Sequence, residues 1–395
     1  MKRKLATAAL AAASALALSS CGQLTAQTGD DTTRAVNVAA TEAVSATTNI
    51  DSKSELPAGS KVTVAAQDPW KVERVTVDSA SGNYQDAGMS KDVWKSDPIT
   101  PGETSTFTVV MRNPENGDTA SFTRSVKGGP ATNNFGASIY PNDGGTYGIG
   151  VLPVVTFDKE VPLENRADIQ SRLKVISSPT TVEGKWRWTS STTVSYRPKG
   201  FWPAGQKIKV QANLTNARIG SKHPSWGTKS YDESFKTSKK AMLIKISSDS
   251  HSAKVYINGD LVRTMGVSMG KSGYTTRSGI KTLEDKYRVK RMTNQGVTTD
   301  EVYDLQVPYA MRLTTSGEFL HAAPWNGNIG YANTSHGCTN LSYSDAQWVY
   351  EREVPGIPVI TTGTGRKMEN WNGLGAPWNI KWSKWESLDG NDNVG

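Results

Sequence analysis

The chain has 395 residues, a formal charge of +8 and 36% hydrophobic residues, enough for two to four domains with cores of their own. The basic excess is modest, three of the charges fall in Lys2-Arg3-Lys4, and no basic run or aromatic-basic interleaving follows; this argues against nucleic acid as a partner. No Gly-rich loop opens a helix at nucleotide-binding spacing, and no CxxC or HExxH set accompanies the histidines, so neither a nucleotide nor a metal cofactor is expected.

Residues 1–21 read as a targeting segment. Lys2-Arg3-Lys4 is the charged start, and Leu5 to Leu18 is an Ala/Leu-rich stretch too short for a comfortable membrane span. It ends in Leu18-Ser19-Ser20-Cys21, which resembles a bacterial lipobox and predicts a lipid on Cys21 and anchoring at the membrane. An ordinary secretory signal with an incidental cysteine is the alternative. Residues 22–57 are rich in Thr, Ala, Ser and Asp, lack aromatics and read as a flexible linker.

From 58 to 129, Lys61-Val62-Thr63-Val64-Ala65, Arg74-Val75-Thr76-Val77 and Thr106–Met111 predict strands, broken by turns at Ser81-Gly82-Asn83 and Thr100-Pro101-Gly102. A small immunoglobulin-like sandwich is expected. A second β-rich module is expected over 130–238, with strands at Val151–Phe157, Lys185–Trp188, Thr193–Tyr196, Lys207–Leu214 and Ser230–Thr237 and a short helix over Asp168–Lys174. Trp186 and Trp188 share a strand face and read as sandwich core, with sugar binding as the second reading. His223 and His251 read as isolated surface histidines.

A third unit is expected over 239–362. Ala241–Ile246 predicts a strand, and Asn258-Gly259 between Lys254-Val255-Tyr256-Ile257 and Leu261–Met265 predicts a hairpin. Val302–Leu313 and Glu318–Leu320 continue the β pattern and deliver His321 at a strand end. Ser342-Tyr343-Ser344-Asp345 resembles a capping box for a helix from Tyr343 to Glu353, with a last strand at Pro358–Thr362. Between them lies Ser335-His336-Gly337-Cys338-Thr339-Asn340. Gly337 leaves the approach to the thiol uncrowded, and the Gly337 and Cys338 amides can face a developing oxyanion. A thiol needs a base to act as a nucleophile, and His321 and His336 are both near in sequence. Lipidation of Cys21 would leave Cys338 unpaired in an oxidising compartment, which favours a working thiol. Residues 363–395 form a Trp-rich extension, with Trp378, Trp382 and Trp385 spaced for one helical face. The expected role is packing back on an earlier domain, with a wall-contacting aromatic surface as the alternative.

His321 followed by Ser335-His336-Gly337-Cys338-Thr339-Asn340 resembles the signature of the L,D-transpeptidase (YkuD-like) catalytic domain. The flanking modules look like those of the multidomain, lipid-anchored members of actinobacterial cell walls. The resemblance implies a mainly β fold, with two immunoglobulin-like modules ahead of a β-rich catalytic domain that carries a helix after the nucleophile loop. It implies Cys338 as nucleophile, His321 as base, Gly337 in the nucleophile loop and the backbone carbonyl of Ala322 as the group orienting the base. Relatives carry serine at that position. It places Tyr303, Ser316, Gly317, Trp325, His336 and Asn340 at the substrate site. The implied partners are peptidoglycan stem peptides, a donor tetrapeptide and an acceptor, with carbapenem β-lactams as inhibitors and no cofactor. Hydrolysis of the same acyl-enzyme, as in an L,D-carboxypeptidase, and a non-catalytic wall-binding protein are the other readings.

Overall fold

A computed structural model describes residues 46–50, 53–293 and 303–387. The expected signal segment, Cys21 and most of the expected linker lie outside the described residues.

The first module is a sandwich of two sheets. One runs Ala46–Thr48, Lys61–Ala66, Val93–Pro98; the other runs Glu55–Leu56, Thr119–Gly128, Thr104–Arg112, Lys71–Asp78, Tyr84–Asp86. Thr104–Arg112 alternates strictly, burying Ser105, Phe107, Val109 and Met111 on one face, as a half-buried strand must. The module begins before residue 58, which corrects the expected linker boundary. Ala46–Thr48 pairs antiparallel with Val64–Ala66, and Ala46, Ile50 and Leu56 are buried in the core. Composition marked this stretch as tether because its few apolar residues are scattered, and their partners, like the strand it pairs with, lie elsewhere in the chain.

The second module packs Ala137–Tyr140, Val154–Phe157, Thr193–Pro198 and Gly184–Trp188 against Thr146–Tyr147, Tyr231–Thr237, Lys207–Ala212 and Leu173–Ser178. Trp186 and Trp188 are buried in its core, Trp188 stacked on Phe157 with centroids 5.6 Å apart. The helix forms at Leu163–Ser171, not Asp168–Lys174. Pro162 sets its start, and Leu173–Ser178 is drawn into strand by pairing with Lys207–Ala212. His223 is exposed, but His251 is half-buried and its Nδ1 lies 3.3 Å from Asn333 Oδ1, so it is not an isolated surface group.

The third unit has two sheets. The six-stranded one has the order Asp260–Gly266, Ser252–Ile257, Met242–Ser247, Pro358–Thr362, Arg277–Thr282, Arg366–Lys367. The four-stranded one has the order Lys286–Thr293, Asp304–Arg312, Phe319–Ala322, Thr339–Leu341. The expected hairpin forms, with Asn258 and Gly259 both at positive φ as its tight turn requires. The helix spans Tyr343–Tyr350; Ser342 caps it by accepting from the Asp345 amide at 3.1 Å. Arg366–Lys367 pairs with Arg277-Ser278, so this fold continues past residue 362, the expected boundary.

The units are joined by backbone contacts. Gly148 N–H donates to Pro355 O at 2.7 Å and Gly150 N–H to Gly356 O at 2.9 Å. A Cβ on Gly148 would stand 2.2 Å from Ile357 N, so this junction requires glycine. The extension also returns to the second module. Its tryptophans do not lie on one continuous helix, because Ile380 is extended between a 3-10 turn at Ala376–Asn379 and the helix Trp382–Ser387. The three rings nevertheless gather around Arg197, with centroids 5.2 to 5.7 Å from its guanidinium carbon. The tail therefore packs back, as the first reading held.

Candidate active site

The site is assembled by one parallel strand pair. Phe319–Ala322 lies beside Thr339–Leu341 with Leu320 opposite Thr339 and His321 opposite Asn340. This register brings a histidine and a cysteine seventeen residues apart to the end of the same sheet. Two isolated bridges, Ser268 to Asn340 and Gly270 to Ser335, tie the cysteine loop to the segment after the hairpin.

His321 is buried, and its Nδ1 lies 2.8 Å from Ala322 O. With the carbonyl as acceptor, Nδ1 carries the proton and Nε2 is left as the basic nitrogen. Ala322 thus supplies the orienting carbonyl and no side chain. Burial lowers the imidazole pKa to about 4, against the opposing pull of that hydrogen bond. The Trp325 ring lies nearly parallel to His321 at 6.5 Å and is half exposed.

Cys338 packs partly buried against Val307, Ala310 and Phe319. Burial pushes its thiol up to about 11, while the Phe319 N–H, directed at the sulfur, pulls the other way. Sγ lies 3.8 Å from Gly317 O. At neutral pH the resting pair is therefore thiol and neutral imidazole, and the thiolate arises only as the proton moves.

The loop around the thiol is held by its own serine. Ser335 Oγ donates to Cys338 O at 2.6 Å and accepts from Gly337 N–H at 3.1 Å. The Gly337 amide is thus spent inside the loop, which corrects its expected place in an oxyanion site. Among the described hydrogen bonds none engages the Cys338 amide. Gly337 sits at φ +118°, closed to ordinary L-residues, and its carbonyl accepts from Thr276 Oγ1 at 2.8 Å.

Cys338, His321, Tyr303, Trp325, His336 and Asn340 line one cavity of about 280 Å³. His336 is wedged between Tyr274 and Tyr303, with centroids at 4.7 and 5.2 Å, and braces the loop. Asn340 is buried opposite His321, and its Oδ1 has no hydrogen-bond partner among the described residues. Ser316 and Gly317 do not line this cavity. Ser316 is held by the extension: its N–H donates to Asn372 Oδ1 and its Oγ accepts from Asn372 Nδ2, both at 2.9 Å. Gly317 contributes through its carbonyl at the thiol.

Sequence reasoning missed Met292, Leu305, Val307, Asn326 and Thr334, which complete the lining with Ser335, a residue of the signature block that was given no role of its own. Tyr303, just ahead of the strand Asp304–Arg312, and Leu305 and Val307 within it follow a period-two spacing that points all three the same way. It also missed a buried ionic cluster behind the thiol, in which Glu318 pairs with Lys281 at 2.7 Å and with Arg277 at 3.0 Å. Among the described residues no group of His, Cys, Asp or Glu is arranged to hold a metal ion. No described helix is long and apolar enough to cross a membrane.

Residues 241–361 match the L,D-transpeptidase catalytic domain, and residues 53–218 match the bacterial Ig domain. The chain is 30% identical over 256 residues to L,D-transpeptidase 2 of Mycobacterium tuberculosis, covering 63% of this chain and 61% of that protein. It spans 54% of L,D-transpeptidase 5 of the same species, at 28% identity. It is 31% identical to L,D-transpeptidase 1 of M. tuberculosis, covering 58% of this chain and 84% of that protein. Among solved structures, an L,D-transpeptidase from Mycobacterium smegmatis aligns with 58% of this chain and 99% of its own, at 30% identity and a TM-score of 0.47. L,D-transpeptidase 3 from M. tuberculosis, in complex with a faropenem-derived adduct, aligns with 57% of this chain and 97% of its own, at 30% identity and a TM-score of 0.48. With His321, Ala322, Gly337 and Cys338 in the catalytic-domain match and most of L,D-transpeptidase 1 covered, the chain belongs to the L,D-transpeptidase family.

Proposed function

We propose that the protein is a peptidoglycan L,D-transpeptidase that forms 3→3 cross-links through a Cys338 thioester. The observation that carries this reading is the opening of Cys338 and His321 into one cavity, with His321 Nδ1 tied to Ala322 O and Nε2 left as the base. The donor is a tetrapeptide stem whose third residue is a diamino acid such as meso-diaminopimelate. As Sγ attacks the carbonyl of that residue, the thiol proton passes to His321 Nε2. The Cys338 N–H is the donor we assign to the oxyanion. Collapse expels D-Ala, whose amine takes the proton back, and leaves the acyl thioester. The side-chain amine of a neighbouring stem then attacks, and His321 takes its proton and returns it to the departing sulfur, so that Cys338 leaves as the thiol and the base is restored.

Carbapenems fit the same chemistry: opening the β-lactam by Sγ acylates Cys338 without a departing group. A lipid on Cys21, from the Leu18-Ser19-Ser20-Cys21 motif, would hold the enzyme at the extracytoplasmic face of the cell membrane. Membrane fractionation of Cys21→Ala tests that part, and unchanged partition into the membrane would refute it.

The deciding experiment incubates the purified protein with tetrapeptide muropeptides and weighs protein and products. The expected result is an acyl adduct on the Cys338 peptide and a cross-linked dimer lacking one D-Ala. Cys338→Ser should bind substrate and form neither. His321→Gln should slow acylation by at least about two decades. Tripeptide without dimer would make the protein an L,D-carboxypeptidase; absence of any adduct would leave only a wall-binding role.

A further inference from the structure

We propose that Glu318 and Lys281 are positioning residues for Cys338: their buried ion pair fixes the two backbone groups that meet the thiol and balances the charge behind it. The proposal rests on the reading of Cys338 as nucleophile.

The placement is specific. Glu318 stands between Gly317, whose carbonyl lies 3.8 Å from Sγ, and Phe319, whose N–H is directed at Sγ. Whatever holds Glu318 therefore holds both. Its N–H donates to Thr314 Oγ1 at 2.9 Å and its carbonyl accepts from Leu313 N–H at 2.9 Å. Its Oε1 accepts from the Arg277 backbone N–H and from Arg277 Nη1, each at 3.0 Å, and its Oε2 lies 2.7 Å from Lys281 Nζ. Lys281 is fully buried on the neighbouring sheet, so the pair bridges the two sheets at the cysteine.

Two charges at such a place are costly to bury, and an apolar pair of equal volume would pack as well. What an apolar pair would not do is act on the thiol. The Lys281 ammonium favours the thiolate, and the Glu318 carboxylate disfavours it. Arg277, bonded to both Glu318 and Glu369, completes a cluster of two cations and two anions with no net charge. Burial lowers the Lys281 pKa, and Glu318 opposes the loss of its proton. The other titratable groups facing Cys338 are His321 on the strand of Phe319, His336 on its own loop, and Tyr303 and Tyr274 beyond His336. None of them belongs to the cluster.

The test is the rate of alkylation by iodoacetamide, followed from about pH 7 to 9 in the full chain and read on the Cys338 peptide. Glu318→Gln keeps an acceptor for Arg277 but removes the negative charge, and should alkylate about tenfold faster at a given pH. Lys281→Met removes the positive charge and should alkylate about tenfold slower. The double variant, with neither charge, should return close to wild type. A purely structural pair would shift both single variants the same way through disorder of the strand. Equal rates in all four proteins, or shifts of one sign, overturn the proposal. Thermal melts identify folded variants; if Lys281→Met does not fold, the rise in Glu318→Gln and its reversal in the double variant decide. Cross-link formation by the wild type is scored separately. Opposed rate shifts without any cross-link would support the pair's action on the thiol while sinking the transpeptidase reading. Cross-links with unmoved rates would sink the pair's role alone.

Discussion

Arg197→Met should release the C-terminal extension and, through it, slow the chemistry at Cys338. Arg197 is buried, and its Nη1 donates to Pro377 O, at 3.2 Å, and to Ile380 O. Its guanidinium faces the rings of Trp378, Trp382 and Trp385. Burial lowers its pKa to about 10 from 12.5, a cost of about 3 kcal/mol to the cation, which stays charged at neutral pH. Two charge-assisted hydrogen bonds contribute about 1.5–3 kcal/mol each, and three cation–π contacts about 0.5–1 kcal/mol each. The gross gain exceeds the desolvation cost, and the residue holds the tail by roughly 3 kcal/mol net. Loss of that hold should raise local opening about a hundredfold, read as faster hydrogen exchange of the Ile380 and Trp385 amides. Further ties would remain, among them Arg187 Nε to Trp385 O at 2.8 Å, Trp385 Nε1 to Lys185 O at 3.1 Å and Trp378 Nε1 to Gly150 O at 2.8 Å, so the change is opening and not complete detachment. Because Asn372 in the same extension holds Ser316, beside Gly317, acylation by a carbapenem should fall as the tail opens. Unchanged exchange would refute the account of the clamp; faster exchange with undiminished acylation would refute the coupling to the site.

Gly337→Ala meets no close atom, since its Cβ would lie 3.6 Å from Tyr274 O, but φ +118° should cost about 1–3 kcal/mol and turn the thiol away. Acylation followed by intact mass should fall at least about tenfold in a protein that still folds. Ser335→Ala removes the hydroxyl shared by Cys338 O and Gly337 N–H, and should cost about 1–2 kcal/mol in urea unfolding together with slower acylation, with Ser335→Thr recovering part of both. Glu353 is buried near Lys286, and its pKa is raised from 4.5 to about 7 by burial. Between those values the folded state holds a proton that the unfolded chain has lost, so the Glu353 contribution to stability is full below about pH 4.5 and is lost as pH rises through about 7. Glu353→Gln should remove that decline, gaining about 3 kcal/mol at pH 8 and little at pH 4, as thermal melts at the two pH values would show.

Local sequence carried the reactive elements. The S-H-G-C-T-N block, the Asn258-Gly259 turn and the Ser342 cap each act through neighbours a few residues away, so their chemistry is written in adjacent letters. Alternation did the same for Thr104–Arg112 and for the paired tryptophans of the second sandwich. Only the tertiary structure decided where that loop is anchored: the bridge from Gly270 to Ser335 ties down the serine whose Oγ, two residues away, takes Gly337 N–H. Only it decided that Ala46–Thr48 belongs to a sheet, since the pairing strand lies well down the chain. Above all, nothing in the local sequence sets Glu318 and Lys281 apart from other charged residues. They meet at 2.7 Å because two sheets converge behind Cys338, and the proximity of residues far apart in the chain is a property of packing that no local pattern encodes.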